Sequence, residues 1–127
     1  MDFNSIEGLT FANIRGCEKG SGEILFTTTE GRRFRMFHWQ DCCENVSVED
    51  VVGDVEDILG SPVLRAEERS SGVQDREDGW GDVEEWTFYT IATIQGTVDL
   101  RWYGTSNGYY STSVDFEEVS SHQEEDK

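Results

Sequence analysis

"EWTFYTIATIQGTVDLRWYGTSNGYY", residues 85–110, decides the fold. Across 85–95, Trp86, Phe88, Thr90, Ala92 and Ile94 alternate with Thr87, Tyr89, Ile91 and Thr93. Across 97–103, Val98, Leu100 and Trp102 alternate with Asp99, Arg101 and Tyr103. Successive side chains of a strand point to opposite faces, so a period of two over apolar and β-branched residues reads as a half-buried strand. Gln95-Gly96 joins the two runs tightly, and the Asn-Gly pair within 104–108 supplies the next hairpin turn. Residues 109–116 then read as the third strand of an antiparallel meander.

The N-terminal half extends the same pattern. Residues 9–17 and 23–29 read as strands, and Thr-Glu-Gly-Arg (29–32) turns the chain into a third strand over 33–38. There Phe34, Met36 and His38 share one face, while Arg33, Arg35 and Phe37 take the other. A further strand is expected over 63–68. Only "VEDVVGDVEDILG" (48–60) departs from this. Val51, Val52, Val55, Ile58 and Leu59 fall at helical spacing with Asp50, Asp54 and Asp57 opposite, and Gly60-Ser61-Pro62 is a stop signal. Gly53 weakens such a helix by about 1 kcal/mol relative to alanine. The expected architecture is an α+β, antiparallel β-rich single domain of six to seven strands with one short amphipathic helix. The compact domain spans 1–116 with a mobile acidic loop near 70–84, and an acidic disordered tail follows at 117–127.

With 127 residues, the chain is long enough to bury a core without cross-links. No apolar run approaches the length needed to span a bilayer, and no targeting segment is evident. Three cysteines fit poorly with a disulfide framework, and the sequence reads as cytosolic. The net charge of −17 is uneven. Residues 1–40 carry five acids and five bases, whereas 41–127 carry 22 acids and five bases. Such a field repels nucleic acid and anionic membrane and attracts basic partners.

"HWQDCCEN" (38–45) concentrates metal-ligand chemistry. Zinc takes about four thiolate or imidazole ligands in a tetrahedron. His38 and Cys42, across a turn, can converge on one ion. Cys43 needs a kinked turn, and Cys17 is the first candidate for the fourth position, ahead of Asp41, Glu44 or water. A structural zinc site competes with buried free cysteines beside a core histidine, with a vicinal disulfide, and with a Cys–His nucleophile. The last suffers from Asp41 and Glu44, which oppose thiolate formation.

The acidic segments read as a binding surface. On a helix, Asp50, Asp54 and Asp57 would be separated by rises of ~6 and ~4.5 Å, comparable with phosphate spacing along DNA. Glu49 and Glu56 flank that row, and loop acids including Asp75, Glu77, Asp78 and Asp82 extend it. From Asp41 through Asp57 there is no Lys or Arg, whereas an ordinary solvated face mixes both signs. The "RWYGTSNGYY" hairpin (101–110) carries a rival reading. Arg101, Trp102, Tyr103, Asn107, Tyr109 and Tyr110 are suited to stack on a base and sequester a nucleotide signal, although Trp102 and Tyr110 equally suit a core. No catalytic constellation stands out, and no enzyme is expected.

Together the His-x-x-x-Cys-Cys cluster and the Arg-Trp-Tyr-Gly-x-Ser-Asn-Gly-Tyr-Tyr hairpin make residues 23–116 resemble a family of small phage and prophage proteins of unknown function. The small, acidic character also resembles the type II-A anti-CRISPR proteins, some of them DNA mimics and some metal-containing. The resemblance implies a phage-encoded, non-catalytic inhibitor acting in the host bacterial cytoplasm. It would bind a type II CRISPR effector nuclease and block loading of target DNA.

Overall fold

The computed structural model describes residues 1–41, 43–76 and 82–119. Among them, nine strands build two sheets, and every strand pair is antiparallel. The strands are β1 (Phe11–Arg15), β2 (Glu23–Thr28), β3 (Arg33–Phe37), β4 (Asn45–Val52), β5 (Arg65–Ser70), β6 (Gln74–Asp75), β7 (Val83–Thr93), β8 (Gly96–Ser106) and β9 (Asp115–Val119). The first sheet has the order β1-β2-β3-β9, and the second β4-β8-β7-β5 with β6 also paired to β7.

The β7–β8 hairpin forms as its alternation requires. Thr93 pairs with Gly96 across a two-residue turn, and the register continues to Val83 opposite Ser106. Tyr89, Ile91, Val98, Leu100 and Trp102 face inward and are buried, leaving Trp86, Phe88, Arg101 and Tyr103 on the outer face. On β3, Phe34 and Met36 are buried on the inner face as the alternation predicts. The two sheets share one core. The Trp102 indole N–H reaches Met36 Sδ at 3.1 Å between them, and Phe34 stacks on Phe116 at 5.7 Å.

The helix expected over 48–60 does not form. Residues 45–52 are strand β4, and only Val55–Ile58 make a short 3-10 turn. Val46, Val48, Val51 and Val52 are β-branched and favour an extended backbone, and Val46 and Val48 bury themselves in the core. Gly53 ends the strand at φ +112°, and a Cβ there would lie 2.4 Å from the Thr97 carbonyl oxygen. A right-handed helix cannot pass through that residue. The acids therefore do not line one helix face.

The meander also ends early. After β8 the chain leaves the second sheet and returns as β9 against β3 in the first. Residues 117–119, expected in the tail, belong to this strand. Two arginines on the β3 side draw them in: Arg35 Nε bonds Glu117 at 2.8 Å, and Arg32 makes a two-pronged contact with Glu118, both bonds 3.0 Å. Part of the expected mobile loop is also strand, since Gln74 and Asp75 of β6 pair with Glu84 and Val83. Residues 77–81 of that loop and residues 120–127 of the tail lie outside the described residues.

Candidate functional site

The histidine at the end of β3 is locked by hydrogen bonds. His38 Nδ1 lies 2.7 Å from the Ser113 carbonyl oxygen, which only accepts, so this nitrogen carries hydrogen. Nε2 lies 2.7 Å from Glu44 Oε2, and the side chains of His38 and Glu44 are 3% and 0% exposed. Glu44 Oε2 also accepts from the Asp41 backbone N–H at 2.9 Å, while Gln40 Nε2 donates to the Glu44 carbonyl at 2.7 Å. The turn after β3 is thus folded around one buried carboxylate.

Among the described residues, His38, Cys43 and Cys17 do not gather around one point. Both His38 nitrogens are engaged, and Cys43 is disulfide-bonded. Cys17 is a free thiol packed against the hydrophobic core, where burial and then the charge of Glu18 push its pKa to about 11. Among the described residues, no group of three or more His, Cys, Asp or Glu side chains gathers as metal ligands do. Cys42 lies outside the described residues.

The second candidate surface runs along β4 and the turn that follows. A β-bulge at Val48–Asp50 turns Glu49 and Asp50 toward Arg101 on β8. Glu49 Oε1 accepts from Arg101 Nε at 2.5 Å and from Trp86 Nε1 at 3.1 Å, and Asp50 lies 3.9 Å from the same guanidinium. Asp54 caps the 3-10 turn, accepting the Glu56 N–H at 3.0 Å. Asp57 is half-buried over Gly96, and its carbonyl takes the Thr93 hydroxyl at 2.5 Å. Glu56 and Asp75 stand exposed, whereas Asp82 lies 3.9 Å from Arg76. Glu77 and Asp78 lie outside the described residues. Glu49, Asp50 and Asp82 therefore lie against arginines, and Asp54, Glu56 and Asp75 stand exposed.

The aromatic hairpin divides between core and surface. Trp102 is buried in the core, whereas Tyr109 is 89% exposed and Tyr110 half-buried. Tyr103 packs on Trp86 at 5.0 Å and donates to Glu84 Oε1 at 2.8 Å. Burial and then that hydrogen bond raise the phenol's pKa. With Arg101 held by Glu49, the guanidinium that a nucleotide pocket requires is already engaged.

Sequence reasoning missed Glu44 as the hub of the turn and Arg101 as the counter-ion of Glu49. Glu44 bonds within its own turn, to His38, Gln40 and Asp41, which a strand or helix period does not reveal, and Glu49 and Arg101 lie 52 residues apart. Only the absence of basic residues in 41–57 hinted that any counter-ion had to come from elsewhere.

The geometry defines an all-β, two-sheet domain with an acidic ribbon along one edge strand. The chain belongs to the family of the domain of unknown function DUF7448, whose model matches residues 5–116. No curated protein and no solved structure matches it.

Proposed function

We propose that this chain is a non-catalytic acidic protein that inhibits a basic, nucleic-acid-handling partner by occupying the surface meant for phosphates. The observation that carries this reading is the asymmetry of charge: 22 acids against five bases in residues 41–127, with Glu56 and Asp75 exposed. Opposite fields speed association and make it salt-sensitive. The resemblance to acidic anti-CRISPR proteins names the partner to test first, a type II CRISPR effector nuclease in the bacterial cytoplasm whose DNA groove is basic.

The experiment is gel filtration of the protein with a guide-loaded effector nuclease at low and high salt, followed by a DNA-loading assay. Co-elution that weakens with salt, together with lost DNA loading, is the expected result. Replacing Glu56→Lys and Asp75→Lys together should reduce complex formation about tenfold or more, because neither side chain caps a turn or fills the core. Unchanged inhibition by that double variant removes this surface from the reading. No complex at either salt removes the nuclease.

Structural zinc at His38, Cys42, Cys43 and Cys17 belongs to the same reading only under reducing conditions, since a disulfide sulfur is not a thiolate ligand. Elemental analysis of reduced protein, with Cys42→Ser beside it, tests this. Stoichiometric metal lost in the variant supports the site, and its absence from the reduced wild type removes it.

A further inference from the structure

Two cavities flank β5. The larger, about 710 Å³, opens between β5 and β9 and is lined by five acids, Asp2, Glu67, Glu68, Asp115 and Glu117. Glu117 and Glu67 lie against Arg35 and Arg65, and Glu68 takes a hydrogen bond from the Tyr89 phenol. Asp115 accepts the Trp39 backbone N–H at 3.1 Å, so this space is largely served from within the chain. The smaller, about 200 Å³, lies on the outer face of the second sheet and differs in kind.

An antiparallel sheet that faces water on one side normally turns polar side chains outward. Here the register places Arg69, Phe88, Arg101 and Asp50 in one row across β5, β7, β8 and β4. In the next row Trp86 and Tyr103 stand opposite each other with ring centroids 5.0 Å apart. On the other side of the first row, Val52 is 59% exposed. All of these side chains belong to residues that keep exposed surface.

The charges of this face also differ from those of the rest of the chain. Around the cavity Asp50 and Asp99 stand with Arg69 and Arg101, an even balance in a chain of 27 acids and 10 bases. Arg101 already binds Glu49 and lies 3.9 Å from Asp50, and Asp99 accepts the Thr90 hydroxyl at 2.7 Å. Arg69 makes no ion pair among the described residues, and its guanidinium rests over the Phe88 ring at 5.6 Å. A guanidinium lying over a ring keeps its edge donors for a carboxylate. The face thus combines outward aromatic rings, balanced charge and one unmatched cation.

A second copy of this chain answers all three. A two-fold axis along the strands, between β7 and β8, reads the row in reverse. Arg69 then meets Asp50 of the second copy, Phe88 meets its Arg101, and in the next row Trp86 meets its Tyr103. Each contact occurs twice, as an isologous interface requires, and sheets packed in this way keep their strands nearly aligned. We propose that the outer face of the β4-β8-β7-β5 sheet is a homodimer interface, closed by Arg69 on the Asp50 carboxylate of the second copy. Four strands spaced ~4.8 Å apart form a patch at the small end of stable interfaces, so the dimer is weak. Each copy carries a net charge of −17, so salt screens their repulsion and tightens the dimer. That is the reverse of the salt dependence expected for a basic partner. Glu56 and Asp75 take no part in this face, so the inference does not rest on the inhibitory reading.

The test is sedimentation velocity of the intact protein from ~1 µM to ~1 mM, at low and moderate salt, in reducing buffer. A reversible monomer–dimer equilibrium with a Kd of ~10–100 µM, tighter at moderate salt, is expected. Arg69→Asp and Asp50→Arg should each weaken dimerisation about tenfold or more, with melting curves confirming both folds. An equimolar mixture of the two variants should restore it, because the mixed dimer regains both ion pairs. A wild type that stays monomeric over the whole range at both salts overturns the proposal. So does a dimer that both variants leave unchanged, or one that the mixture fails to restore, since the interface then lies elsewhere.

Discussion

The ribbon from Glu49 to Asp57 and the cavity between β5 and β9 are both acidic, yet their carboxylates do different things. Along the ribbon Glu49 and Asp50 face Arg101, and Asp54 is spent on a backbone cap. In the cavity, burial first and then the charges of Asp2 and Asp115 raise Glu68, against a hydrogen bond from the Tyr89 phenol that lowers it. Each holds five acids, and the difference lies in how they are set: Glu49 and Asp50 face a guanidinium from another strand, whereas Glu68 is raised by burial and its acidic neighbours. Formal charge thus measures what a surface repels, and only the pairing shows what it is ready to bind.

The largest expected effect breaks the ribbon itself. Gly53→Ala should cost about 2 kcal/mol or more, because the new Cβ meets the Thr97 carbonyl at a positive φ. A helix through this residue predicts the opposite, a gain of about 1 kcal/mol. Denaturant unfolding therefore decides between strand and helix by the sign of one number. Next, Asp54→Ala should cost about 1 kcal/mol through the lost cap; no change would show that the turn after β4 holds without it. Arg101→Met should cost less than about 1 kcal/mol, since its pairs with Glu49 and Asp50 are partly exposed. If it instead costs several, the ribbon's acids depend on that one cation far more than their exposure implies.

The cavity gives the smallest effect and a sharper sign. Glu68 is raised in the folded protein, so the native state holds that proton more readily than the unfolded chain does. Its charge therefore weakens folding at neutral pH, and the penalty disappears as pH falls through the folded-state pKa. Glu68→Gln should raise the melting temperature slightly at pH 7, by less than about 1 kcal/mol in stability, with the gain fading toward acid. A variant less stable than wild type at neutral pH would show Glu68 to be satisfied already, and the contrast with the ribbon would collapse.

The β7–β8 hairpin was legible because every local cue agreed: alternation, β-branched and aromatic residues, and a tight turn. The segment 48–60 was misread because its valines satisfy two periods at once. Val51, Val52 and Val55 join Ile58 and Leu59 in a helical stripe, while Val46 and Val48 alternate as in a strand. Gly53 was read as a weak point in a helix, when it is the residue that permits close approach to Thr97. The histidine–cysteine cluster was found by composition, but the partner of His38 is Glu44, which the sequence offered only as one alternative fourth metal ligand.

By itself the sequence determined the antiparallel β character, the inner and outer faces of β3 and β8, and the strong acidity of everything after residue 40. Those are local properties, set by side-chain alternation and by charge that needs no partner to exist. Tertiary structure alone decided that the chain crosses to β9 instead of closing a meander, that Arg101 meets Glu49 and Asp50, and that Glu68 and Asp115 line one cavity. The physical reason is distance along the chain. Packing brings together residues that pattern cannot relate, and whether a charge is met or left waiting depends on which of them arrive.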